Sequence, residues 1–122
     1  MSDGEPIAFP RPRPTTTSSS REVPVIVAFN RLELNQILDV YGRRVAAGDW
    51  RDYALDMGRE AAVFSIFRRA SEVPLYRVVK NPKLARKQGA FSVITATGLI
   101  LKRGPDLLRV LAVLEKGVRL VD

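Results

Sequence analysis

The residues best placed to do chemistry in this chain are cations and a few carboxylates. It holds 20 Lys+Arg, 13 Asp+Glu, no His and no Cys. Without His or Cys, His-based triads, thiolate nucleophiles, disulfides and nearly all structural zinc sites are excluded. Asp49, Asp52 and Asp56 cluster along the chain. Paired carboxylates can perform general acid/base work or hold a divalent cation. In an alternating stretch they more simply make the wet face of a strand. No P-loop, no GxGxxG and no nucleophile motif is present, so neither an enzyme nor a cofactor is expected.

The cations are unevenly distributed. Residues 1–60 hold eight Lys/Arg and nine Asp/Glu, whereas residues 61–122 hold twelve and four. Between 68 and 103 stand Arg68, Arg69, Arg77, Lys80, Lys83, Arg86, Lys87, Lys102 and Arg103, against Glu72 alone. Lys83, Arg86 and Lys87 are spaced i, i+3, i+4, which puts them on one side of a helical turn despite their mutual repulsion. Arg68, Arg69, Lys80, Lys83, Arg86, Lys87, Lys102 and Arg103 are therefore the candidate binding residues. Such a basic face suits an acidic protein surface, or alternatively the phosphate backbone of RNA or DNA. Tyr76 and Phe91, which flank the basic stretch, could stack on bases, although in so small a sheet aromatic residues more often build the core.

The elements that must position these side chains follow from periodicity and punctuation. Residues 1–21 carry Pro6, Pro10, Pro12 and Pro14 followed by a Thr/Ser run, and read as a disordered tail. Pro10-Arg11-Pro12-Arg13-Pro14 favours polyproline II, either as a ligand for an aromatic groove or as a plain linker. Residues 22–122 read as a single domain. Val23–Phe29 is a β-branched run and suggests a first strand. Asn30 with Glu33 forms a capping box for a helix from Arg31 to about Ala47, striped by Leu34, Ile37, Leu38, Tyr41 and Val45.

Strands are expected around 53–57, 61–68, 74–80, 91–95 and 99–101, with short gaps that favour antiparallel hairpins. Asn81–Gly89 is punctuated as a short basic helix. Gly104-Pro105 opens a second main helix, striped by Leu107, Leu108, Leu111 and Leu114. Gly117 should end it, leaving Val118–Val121 as a possible last strand. The fold class is therefore α+β: an antiparallel sheet of five or six strands, two main helices on one face and one short basic helix. The expected core comprises Ile26, Leu34, Ile37, Leu38, Tyr41, Phe64, Ile66, Val78, Ile94 and the second helical stripe, with Trp50 covering its edge. No apolar run is long enough to cross a membrane, and no secretory signal is visible at the N-terminus, so an integral membrane protein is not expected.

Several stretches together resemble a small alphaproteobacterial family catalogued as a domain of unknown function. They are Gly48–Ala54, Ala62–Ala70, Pro74–Arg77, Pro82–Gly89, Leu99–Gly104 and Phe9–Pro12. Where Pro105 stands here, that family carries a polar or charged residue, often His, so any role of that side chain is in doubt in this chain. The resemblance implies a cytoplasmic bacterial protein and no activity, cofactor or site residue.

Overall fold

In a computed structural model the described residues are 25–69 and 73–121, the last helix beyond Glu115 by its backbone alone. The expected tail at 1–21 lies outside them. Helix α1 (Arg31–Ala46) leads into five strands: β1 (Asp52–Met57), β2 (Ala62–Phe67), β3 (Tyr76–Lys80), β4 (Phe91–Thr95) and β5 (Ile100–Gly104). Helix α2 (Leu107–Val121) follows. The strands form one sheet in the order β1-β2-β3-β4-β5, every neighbouring pair antiparallel.

Helix α1 begins where its capping box directs. The Asn30 side chain accepts from the Glu33 N–H, and the Glu33 carboxylate accepts from the Asn30 N–H, both at 2.8 Å. Two amides that the helix itself cannot satisfy are thereby bonded. Helix α2 is capped by Asp106, whose carboxylate accepts from the Leu108 N–H at 3.1 Å.

Alternation along the strands decides which face is covered. Phe64, Val78 and Val93 stand opposite one another across β2, β3 and β4 and are fully buried. They join Ile37 and Val40 of α1 and Leu107, Val110, Leu111 and Leu114 of α2 in one core. Tyr41 fastens α1 to the sheet, with ring centroids 5.1 Å from Tyr53 and 5.9 Å from Phe64, both edge-on. Trp50 is 2 % exposed and packs between Tyr41 and Tyr76. It is part of the core itself rather than a cover over its edge.

Other expectations are corrected as well. Val25–Phe29 forms no strand. It is tied to the sheet by a single backbone bond from the Val27 N–H to the Gly58 carbonyl, and Ile26 is 55 % exposed. Residues 118–121 continue α2 instead of making a last strand, and Gly117 does not stop it. The second helical stripe uses Val110 where Leu108 was expected. Leu108 is 57 % exposed because its direction around the helix lies outside the 107, 110, 111, 114 face. Ile94 faces away from the core, since its register partners Arg77 and Ile100 lie on the uncovered side of the sheet.

The short basic helix is reduced to a 3₁₀ turn over Pro82–Leu84 followed by a turn to Gln88. It forms the link between β3 and β4, closed by a bond from the Asn81 N–H to the Ala90 carbonyl at 2.7 Å. Gly89 completes it with φ +90°, and a Cβ there would lie 2.2 Å from the carbonyl carbon of Gly104. Only glycine meets both demands.

Two outcomes follow. Gly89→Ala lowers stability by at least about 2 kcal/mol in urea unfolding, because the left-handed conformation and the Gly104 backbone both oppose a methyl group. Asn30→Ala costs about 1 kcal/mol in the same measurement, the usual loss of an N-cap.

Candidate functional site

The strand order divides the cations between two ends of the sheet. β2 ends at Phe67, so Arg68 and Arg69 leave the sheet beside the start of β3. The β3–β4 loop with Lys83, Arg86 and Lys87 lies at the other end, where β5 also finishes. A strand of this length separates the ends by roughly 17 Å. The eight expected residues therefore do not share one surface.

Lys80 also separates from the others. Its ammonium donates to the Ala28 carbonyl and to the Glu33 carboxylate, both at 2.8 Å. The side chains of Lys80 and Glu33 are only 19 % and 15 % exposed. This cation is consumed in holding the start of α1 to the end of β3. Lys83 is different: it meets Glu60 at 3.8 Å with both side chains about three-quarters exposed, a contact of little energetic weight.

What the structure does bring together is the loop and the end of β5. The backbones of Gly89 and Gly104 are in close approach, which presses the loop against that strand. Gln88 accepts a hydrogen bond from the Arg103 guanidinium across the same seam. Arg103 is half-buried, its Nε is buried without a partner, and no carboxylate pairs with it among the described residues. Arg86, Lys87 and Lys102 are exposed and likewise meet no carboxylate there.

Beyond β5 the surface recedes into a hollow of about 340 Å³ lined by Lys102, Arg103, Pro105, Asp106, Arg109 and Val110. Asp106 caps α2 and meets Arg109 at 3.7 Å, so the one acid in the hollow is already engaged. Sequence reasoning passed over Arg109. The signal was local: Arg109 stands in the first turn of the helix that Gly104-Pro105 opens directly after β5, but it falls outside the stretch 68–103 in which the cations were counted. Arg77 was counted among the cations but left out of the candidates. It lies half-buried on the uncovered face of the sheet between Ser65 and Ile94, away from the loop.

The carboxylates make no comparable cluster. Asp52 and Asp56 lie on the same uncovered face of β1, as alternation requires, and both are exposed. Asp52 accepts from the neighbouring Tyr53 N–H. Among the described residues no group of three or more His, Cys, Asp or Glu could hold a metal ion. Among the described residues two groups titrate away from their ordinary values, and both belong to the scaffold. Burial, helped by Asp52 and Tyr53, pushes the Tyr41 phenol up. Its contribution to stability is thus complete below the ordinary tyrosine range and lost as pH rises through the raised value. The hydrogen bond to Glu115 pushes Arg43 up, a contact that links α1 to α2.

Replacing Lys80 with Met leaves the Glu33 carboxylate half-buried without its counter-ion. Equilibrium urea unfolding should show a loss of about 2 kcal/mol. Lys83→Met should change it by less than about 0.5 kcal/mol.

A family model described as "Protein of unknown function (DUF2794)" matches residues 27–111, a span that takes in α1, the whole sheet, the basic loop and the hollow. No curated protein and no solved structure matches the chain. Among the described residues no helix is long and apolar enough to cross a membrane.

Proposed function

This chain belongs to the DUF2794 family, and from its geometry we propose that it is a non-catalytic docking module that binds an acidic protein surface through the β3–β4 loop and the end of β5. The observation that carries the reading is the Gly89–Gly104 approach, which sets the end of the loop that carries Lys83, Arg86 and Lys87 against the end of the strand that carries Lys102 and Arg103. Five cations on a backbone so constrained lose little freedom when a partner arrives, which favours specific docking over loose ion pairing.

Protein fits this surface better than nucleic acid. A phosphate-backbone footprint engages a longer run of cations, and Glu60 and Asp106 interrupt this one. Sequence-specific readers of single strands also offer exposed aromatic rings. Here Phe64 and Phe91 are buried, and Tyr53, the most exposed ring among the described residues, lies on β1 at the far edge of the sheet. A bland reading, in which the same cations serve only solubility, leaves the uncompensated Arg103 without a purpose.

The test uses a fluorescent polyglutamate peptide, single-stranded RNA and duplex DNA as probes. Fluorescence anisotropy at low salt should report peptide binding. The combined variant K83E/R86E/K87E should weaken it at least about tenfold while its circular dichroism stays unchanged, since all three residues are exposed. Binding of RNA or DNA with a steep salt dependence, and none of the peptide, would transfer the function to nucleic acid. Peptide binding that the combined variant leaves intact would remove the loop from the site.

A further inference from the structure

β5 closes the sheet on one side. It pairs with β4 and, among the described residues, with no other strand. Leu99 and Ile100 at its start are 62 % and 41 % exposed. An edge of this kind presents a row of backbone donors and acceptors to any extended chain that can approach. The irregular register at Val93/Ile94 and the cations Lys102 and Arg103 are the usual devices that protect an edge from indiscriminate pairing.

Those devices are selective in sign. A second copy of β5 laid antiparallel on the first would bring Lys102 and Arg103 close to their own equivalents, and facing like charges destabilise a pair of strands. A neutral strand would leave Arg103 without a counter-ion. An acidic strand meets neither obstacle. The hollow beside β5 adds a receptor for one of its side chains, with Lys102, Arg103 and Arg109 around it and Pro105 and Val110 supplying carbon surface. The start of α2 is not what recruits the anion, because Asp106 already bonds the Leu108 N–H. The three cations are, Arg103 among them with no carboxylate partner among the described residues.

We propose that β5 receives an extended acidic segment of a protein partner as a sixth strand, with one carboxylate seated in the hollow against Arg103. This rests on the docking reading above and sharpens it: the loop attracts the partner, and β5 supplies the backbone bonds and the register.

The test is hydrogen–deuterium exchange on the full chain, with a synthetic peptide of alternating glutamate and valine as the probe. Amides of Ile100–Gly104 should exchange at least about tenfold more slowly with the peptide bound, while those of β1, the opposite edge, stay unchanged. Lys102→Glu and Arg109→Glu, both at exposed positions, should each weaken binding several-fold without lowering the melting temperature. Arg103→Ala should reduce the preference for this peptide over its lysine–valine counterpart several-fold. Protection confined to the loop would overturn strand addition and leave the docking reading standing. No binding of either the alternating peptide or polyglutamate would overturn both. Concentration-dependent self-association, lost in Lys102→Glu, would assign the edge to a second copy and overturn the proposal.

Discussion

One ammonium group holds three parts of this molecule together. Lys80 ends β3, and its Nζ lies between the Ala28 carbonyl and the Glu33 carboxylate. Glu33 at the same time completes the cap of α1. The chain entering the domain, the first helix and the middle strand are thus fixed at a common point largely shielded from water. A charge so placed costs desolvation, and the cost is offset only while both acceptors stay in position. The β3–β4 loop starts one residue later, so its first end is anchored here. Its second end is anchored by glycine against glycine at Gly89 and Gly104. Between the two anchors the cations are carried on a backbone with little freedom to drift.

Charge in the sequence and charge on the surface are therefore different quantities. The window from Arg68 to Arg103 is strongly basic as a string. The meander sends Arg68 and Arg69 to one end, turns Lys80 inward and leaves Arg77 on the uncovered face. What gathers beside the hollow is a smaller set that includes Arg109, from outside that window. A count along the chain finds an excess of positive charge; strand order decides which part of it a partner can meet.

The parts of the fold legible in the sequence are those set by local chemistry. Asn30 and Glu33 mark the start of α1 because the capping box closes within four residues. The five strands stand out because alternation and short connections are local as well. The losses come where a distant contact decides. Val25–Phe29 has strand-like residues but finds no strand to pair with, so only Phe29 is buried. Val118–Val121 is equally β-branched and stays helical as a continuation of α2. Leu108 and Val110 exchange roles because the orientation of α2 on β4 and β5 sets the buried stripe. In the candidate site, the cations of the loop could be named from spacing, but their junction with β5 depends on two glycines fifteen residues apart.

The wiring of the sheet has a consequence for how the chain reaches this state. Among the described residues each strand bonds only to those immediately before and after it. Closing a short loop costs little entropy, so each hairpin can form before the next is in place. Helix α1 needs only β1 and β2 to bury Tyr41, whereas α2 waits for β4 and β5. Assembly can accordingly advance from one edge to the other like a zip, without the slow search that Greek-key pairings impose. Along that route the β5 edge comes last, and α2 seats behind it.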